Sequence, residues 1–154
     1  MIDFNDDLGK YVYEYKGGEV PVKCVVFYEC WQMECCGTPF SIGDRVKWPV
    51  MKPECFKSPI NVGVIDYIYQ AHSSEWKKIY VLEGKVEIIK TLYQRYAPSE
   101  HNTRLLVPVD GELIEVKKAK GFDNQFKDME ASGYVVTLND YLFRPAKKEE
   151  VTFR

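Results

Sequence analysis

Five side chains in this sequence have the chemistry of a soft-metal site or of a reactive thiol. They are Cys30, Cys35, Cys36, Cys55 and His72. Zinc in proteins prefers four thiolate or imidazole ligands in a tetrahedron, and two of the cysteines are commonly separated by two to four intervening residues. Cys30 and Cys35 fit this spacing, and Cys55 and His72 would complete the set. No CxxC pair is present, so small buried thiols remain the favoured alternative.

A cysteine nucleophile with a histidine base is the catalytic interpretation of the same residues. Cys35 and Cys36 are the candidate thiolates, and His72 and His101 are the two histidines of the chain. Such a thiolate needs a nearby cation or helix N-terminus to lower its pKa. The motifs GxGxxG, P-loop, HExxH and GxSxG are absent from the sequence, which removes the usual support for nucleotide binding and common hydrolases. A non-enzymatic protein is therefore favoured.

Residues 30–48, CWQMECCGTPFSIGDRVKW, concentrate the side chains that predict a binding surface. Trp31 and Trp48 are expected to anchor the core, because a tryptophan buries a large apolar area, whereas exposed tryptophans would indicate a groove. Gly37 would allow close approach of a partner's backbone. Asp44 is expected to stabilise its own turn. The predicted surface, for a protein partner or a small ligand, comprises Trp31, Cys35, Cys36, Gly37, Asp44 and Trp48, with His72 nearby.

The pattern WQMECCGTPFSIGDRVKW in residues 31–48 resembles the hallmark of a family of small bacterial proteins. That family carries a domain of unknown function with the motif WQxxCCGxPFxxGDxVxW. The match covers about an eighth of the chain, and His72 and residues 84–86 extend it. The resemblance implies a bacterial, cytoplasmic, β-rich protein, and it assigns no catalytic residue.

Composition predicts one globular domain. The chain has 154 residues, of which 45% are hydrophobic and 29% charged, and a chain of this length can bury a core without disulfides. We expect a single β-rich domain over residues 1–154, with an N-terminal lead-in at 1–19 and a charged tail at 145–154. The acidic N-terminus lacks the features of a signal peptide, so we predict a cytoplasmic protein whose cysteines are reduced. No membrane partner is expected, since no segment approaches the ~20 apolar residues of a span.

Single-stranded nucleic acid is a further candidate partner. Residues 76–80 and 93–96 interleave aromatic and basic side chains, as in proteins that stack bases and bind phosphates. The competing interpretation is a strand with its aromatic side chains in the core. The net charge of −2 gives no overall positive field, so nucleic acid is not favoured.

The fold prediction rests on many short β-rich segments separated by turns. A helix is predicted over residues 123–131, and a hairpin is predicted around Asp110 and Gly111, the pair typical of a primed turn. Together these elements predict a small antiparallel β-barrel, SH3-like or OB-like, with an added hairpin and one short helix. The predicted strands are 20–31, 45–49, 62–69, 79–82, 84–96, 105–109, 113–116 and 134–138.

The sequence therefore favours a non-enzymatic binding or interaction module. The alternatives are a domain stabilised by zinc through Cys30, Cys35 or Cys36, Cys55 and His72, and a binder of single-stranded nucleic acid. No cofactor is required by the sequence, and zinc is the one candidate.

Overall fold

The computed structural model describes residues 2–5, 10–13, 23–53, 58–72 and 75–151. Over these ranges the chain is mainly β, as predicted. No helix within the described ranges is long and apolar enough to cross a membrane. The elements in chain order are β1 (Ile2–Asn5), β2 (Lys10–Tyr13), β3 (Lys23–Glu29), α1 (Cys30–Cys36), β4 (Phe40–Ser41), β5 (Arg45–Met51), β6 (Tyr67–Tyr69), a 3₁₀ turn (Trp76–Lys78), β7 (Tyr80–Pro98), β8 (Leu106–Val116), β9 (Lys118–Ala119), β10 (Glu130–Pro145) and α2 (Lys148–Val151).

One six-stranded sheet contains most of the structure. Its strand order is β10-β3-β6-β5-β7-β8, and β10 also pairs with β7. The pairings β10–β3, β3–β6, β6–β5, β5–β7 and β7–β10 therefore form a closed circuit, and β8 extends it beside the second half of β7. The β3–β6 pair is parallel, and the other pairs of this sheet are antiparallel. Two small sheets, β1-β2 and β4-β9, accompany it.

Strand β3 is central, because it pairs with β10 on one side and β6 on the other. Successive side chains of a strand point to opposite faces. On one face Val26 and Tyr28 enter the largest hydrophobic cluster. On the other face Phe27 belongs to a second cluster, against which the connection near Ile60 and Ile65 packs. Both faces of β3 are therefore covered by apolar side chains.

The predicted hairpin at Asp110 and Gly111 is wrong. Strand β8 continues through both residues, with a register irregularity next to Asp110, and Gly111 pairs with Gln94 of β7. Asp110 forms an ion pair with Arg95, with 2.8 Å between the side-chain atoms. A Cβ on Gly111 would lie 2.7 Å from the carbonyl oxygen of Tyr93. This glycine therefore permits close approach of two strands rather than supplying a turn.

The predicted helix at 123–131 is also wrong. Phe126 and Met129 exchange two backbone hydrogen bonds of 3.0 and 2.9 Å. Between them, Lys127 and Asp128 have φ angles of 51° and 64°, the left-handed pair of a two-residue primed turn. Phe126 packs on the Tyr93 ring, and Met129 is buried. The apolar spacing that resembled a helix face is produced by a tight turn into β10.

Several strand boundaries also differ from prediction. The first predicted strand ends at Glu29, and residues 30 and 31 begin α1. The predicted strand 62–69 shortens to β6, while 79–82 and 84–96 merge into β7. Strand β5 forms as predicted, and its Pro49 lies opposite Val81 within the sheet.

The charged tail is anchored by one ion pair. The Arg144 guanidinium donates hydrogen bonds of 2.9 and 2.7 Å to the two carboxylate oxygens of Glu150. The backbone N–H of Lys147 donates to the same carboxylate at 2.7 Å. The pKa of Glu150 is lowered to about 2, chiefly by the hydrogen bonds from Arg144.

We expect Glu150→Gln to lower the free energy of unfolding by about 1–2 kcal/mol at pH 7, because a charge-assisted bidentate pair becomes a neutral contact. The pKa of Glu150 in the folded protein is depressed below its ordinary value of 4.5. The stabilisation is therefore complete above the ordinary value and is lost as the pH falls toward 2. Urea denaturation of both proteins at pH 7 and pH 3 measures the difference, which should shrink at the lower pH. Glu149→Gln, at an exposed neighbour, is the control; a pH-independent difference would contradict this assignment.

Candidate functional site

The short helix α1 positions three of the five cysteines, namely Cys30, Cys35 and Cys36. Cys30, Gln32 and Met33 are its buried residues, and 30 and 33 lie one turn apart on the face that packs against the sheet. At its C-terminal end Cys35 and Cys36 are exposed. Cys24, Cys30, Cys35 and Cys36 are not in disulfides.

Gly37 ends the helix by packing closely against β3. Its backbone N–H donates to the carbonyl oxygens of Gln32 and Met33, both at 3.1 Å. A Cβ at this position would overlap the hydroxyl of Tyr28. The space beside Gly37, expected from the sequence to admit a partner, is thus occupied by a core tyrosine.

Cys35, Cys36 and His72 come together at the exposed end of α1. Successive side chains on a helix are about 100° apart rather than opposite as in a strand, and the two thiol sulfurs lie 2.8 Å apart. The His72 Nε2 atom is 3.4 Å from the Cys35 sulfur and 3.1 Å from the Cys36 sulfur. Among the described residues these three side chains form a group able to hold a metal ion, with ligand atoms all within 4.8 Å of one another.

The side chain of Gln32 sets the orientation of the His72 ring. Gln32 is fully buried; its amide nitrogen donates to the Tyr69 carbonyl at 3.1 Å, and its Oε1 accepts from the Ala71 N–H at 3.0 Å. The same Oε1 lies 3.2 Å from His72 Nδ1. Because this oxygen can only accept, Nδ1 carries the hydrogen. The Nε2 lone pair then faces the two thiols.

Gln32 is the site residue that sequence analysis missed. In a strand it would have no relation to the cysteine pair. On a helix, residue 32 shares a face with residues 35 and 36, which are three and four positions ahead. The helical spacing of residues 32, 35 and 36 could have revealed this role. It was missed because residues 20–31 were predicted to be a strand.

Cys30, another predicted metal ligand, does not join this group. The Cys30 thiol is buried, and its pKa is raised to about 12, first by burial and then by the Asp123 carboxylate. A thiol held protonated in this way is a poor ligand. Cys55 lies outside the described residues.

The two predicted core tryptophans have different environments. Trp48 is buried, with its ring 5.2 Å from that of Tyr28 in an edge-on contact. Trp31 is 50% exposed, and its ring centroid lies 5.1 Å from that of His72. Trp31 therefore belongs to the surface of the site rather than to the core, because α1 turns it outward.

Four of the six predicted binding residues share one cleft. The cleft has a volume of about 380 Å³. The four predicted residues that line it are Cys36, Gly37, Asp44 and Trp48.

The turn expected at Asp44 is confirmed. The Asp44 carboxylate accepts a 2.8 Å hydrogen bond from the Ser41 N–H, and Gly43 beside it has a φ of 95°.

The aromatic side chains of residues 76–80 and 93–96, which were candidates for stacking on bases, mostly pack against other parts of the protein. Tyr93 is buried against Phe126, and Tyr80 packs on Phe143. Trp76 packs against a small core cluster. Tyr96 is the exception, at 38% exposed.

We expect NMR at pH 8.5 to find the His72 Nδ1 protonated and Nε2 unprotonated, because Nδ1 faces the Gln32 Oε1 acceptor. Gln32→Leu should remove this preference and also lower the free energy of unfolding by about 1–3 kcal/mol, since the Tyr69 carbonyl and Ala71 N–H lose their partner. Long-range ¹H–¹⁵N spectra of the imidazole rings measure the tautomer. His101 is the internal control, and Nε2 protonation of His72 in the unmodified protein would refute the assignment.

Comparison with known proteins assigns the chain to a family. The sequence profile of a family of unknown function, DUF6578, matches residues 22–140, so the chain belongs to that family. No curated protein matches the chain, and no solved structure matches it.

Proposed function

We propose that this member of a family without an assigned function is a binding domain that holds a thiophilic divalent metal ion, zinc first among them. The proposed ligands are Cys35, Cys36 and His72. The observation that carries the proposal is the pair of exposed thiols facing the unprotonated Nε2 of a histidine whose other nitrogen is fixed by Gln32. Metal-binding histidines characteristically donate their second ring N–H to an oxygen acceptor in this way.

The distances are compatible with a tetrahedral ion after a small adjustment. Zinc, at about 2.3 Å from sulfur, holds two thiolates roughly 3.8 Å apart. The two sulfurs are 2.8 Å apart, so binding would separate them by about 1 Å. Both side chains are exposed at the end of a helix, so rotation about χ1 can supply this separation.

Three protein ligands leave a fourth tetrahedral position. Water or a substrate occupies that position in open zinc sites, whereas structural sites usually have four protein ligands. In this proposal water fills it, and Cys55 is the residue to test as a protein ligand. In the reducing cytoplasm predicted from the sequence, both thiols would stay available.

The finer sequence predictions belong to the same proposal. The motif WQxxCCG would serve as the signature of the site, because Trp31, Gln32 and the two cysteines all contribute to it. The closed circuit of strand pairings supports a small barrel as the scaffold. We propose a bacterial, non-enzymatic module of this kind, with SH3-like and OB-like barrels as the reference shapes.

We expect the reduced protein to bind one Co²⁺ per chain, with sulfur-to-cobalt charge-transfer absorption from two thiolates and the visible bands of a tetrahedral ion. Zinc should displace the cobalt and raise the thermal midpoint, because it binds only the folded state. Cys35→Ser and Cys36→Ser should each remove about half of the charge-transfer absorption and weaken affinity on the order of 100-fold. Spectrophotometric titration measures both effects.

Matched variants separate the ligands from their surroundings. His72→Ala should weaken binding, while His101→Ala should not. Gln32→Leu should weaken it by about 10–100-fold without removing a ligand. Cys55→Ser leaves the spectrum unchanged if water is the fourth ligand. Absence of cobalt absorption in the reduced unmodified protein would refute the proposal.

A second candidate function uses the same geometry without a metal. The Cys36 sulfur lies 3.1 Å from the Nε2 of His72, and the histidine is oriented by a third residue. This arrangement has the nucleophile, base and orienting group of thiol enzymes. Cys36 would then act as a nucleophile.

Alkylation distinguishes the two functions. If Cys36 is a nucleophile, iodoacetamide should modify it in the metal-free protein at pH 7 at least about 10-fold faster than free cysteine, because the histidine base increases the thiolate fraction. His72→Ala should abolish the acceleration, and His101→Ala should not. Peptide mapping by mass spectrometry gives the rate for each cysteine, and modification of Cys36 only after denaturation would exclude this second function.

A further inference from the structure

We propose that a second site, a groove on the outer face of the sheet, binds a small organic cation with an apolar body, such as an arylalkylammonium ion. The groove has a volume of about 730 Å³, within the range of ligand sites in proteins. Phe27, Ile68 and Leu92 line its apolar part. Trp31 and Tyr96 line it as exposed aromatic side chains.

The two exposed aromatic rings are the first argument for a cation. Trp31 is 50% exposed and Tyr96 38% exposed, whereas Tyr28, Trp48 and Tyr134 are buried. Tryptophan and tyrosine faces attract ammonium groups through the ring quadrupole. An apolar ligand body would cover the floor formed by Phe27 and Leu92.

The charge of the groove is the second argument. Glu29 and Glu34 line it, and neither belongs to the ion pairs found among the described residues. Lys52 is the single basic residue of the described lining. The pKa of Tyr96 is raised by burial first, and then by the carboxylates of Glu130 and Glu29. The electrostatic field at the aromatic wall is therefore negative, which favours a cation and disfavours a phosphate backbone.

Both aromatic walls are held in place before any ligand binds. The hydroxyl of Tyr96 donates a 3.1 Å hydrogen bond to the Gln94 side-chain oxygen, and Gln94 is itself only 6% exposed. The other exposed aromatic residue of the groove, Trp31, lies on α1 and contacts the His72 ring. Preorganised walls reduce the entropy lost on binding.

This inference goes beyond the proposed metal function and does not require a bound metal, although Trp31, which lines the groove, also contacts the proposed ligand His72. Cys35, Cys36 and His72 do not line the groove. The metal-free full-length protein is therefore the correct material for the test.

Three probes of similar size and different charge test the proposal: phenethylammonium, 2-phenylethanol and 3-phenylpropionate. Titration of the ¹⁵N-labelled protein, followed through the indole N–H signal of Trp31, measures affinity for each. We expect phenethylammonium to bind at least about 10-fold tighter than 3-phenylpropionate and about 3-fold tighter than the alcohol. The preference should decrease with added salt.

Variants of the wall and of its charge complete the test. Trp31→Ala should weaken cation binding at least about 10-fold and Trp31→Phe less, because phenylalanine keeps a weaker ring quadrupole. These variants are followed by calorimetry. Glu34→Gln should reduce the preference for the cation, while Glu100→Gln, at an exposed glutamate outside the groove, should not. Equal affinity for the three probes, no binding by any of them, or binding unaffected by Trp31→Ala would overturn the proposal.

Discussion

The buried amide of Gln32 connects helix α1 to the chain that follows β6. An amide removed from water must find hydrogen-bond partners inside the protein, because an unsatisfied one costs on the order of 1–3 kcal/mol. Gln32 finds them in the Tyr69 carbonyl, the Ala71 N–H and the His72 ring. The hydrogen bonds that satisfy the buried Gln32 amide therefore also bring His72 to the cysteine pair.

The central strand β3 provides the scaffold on which this junction depends. Its inner face contributes Tyr28, whose ring stacks on Tyr69 with 3.8 Å between centroids. The Tyr28 hydroxyl fills the space beside Gly37. Burial, followed by hydrogen bonding with Tyr69, raises the pKa of Tyr28, so this hydroxyl stays neutral under the helix end. The outer face contributes Phe27 to the groove. One strand thus supports both the end of the helix that carries the cysteine pair and the floor of the groove.

Sequence patterns predicted the elements whose environment is uniform along their length. Strand β5 and the centre of β10 have the β-branched and aromatic residues of strands, and both form. The patterns failed where a residue type has two structural uses. Gly111 resembled a turn and is a site of close strand approach, while Phe126 and Met129 resembled a helix face and flank a tight turn. The alternatives differ in long-range pairing with β7, which local periodicity does not encode.

The sequence alone determined the β-rich class, the burial of Trp48, the turn at Asp44 and the chemistry available at Cys35, Cys36 and His72. Those properties follow from residue type and from neighbours close along the chain. Tertiary structure decided which of the candidate ligands meet. It placed Cys30 in the core, turned Trp31 outward and brought His72 to thiols 36 and 37 residues away in the sequence. The physical reason is that residues 30 and 31, predicted to end a strand, instead begin a short helix. Burial of Gln32 stabilises this helix more than the intrinsic helix propensity of its residues does.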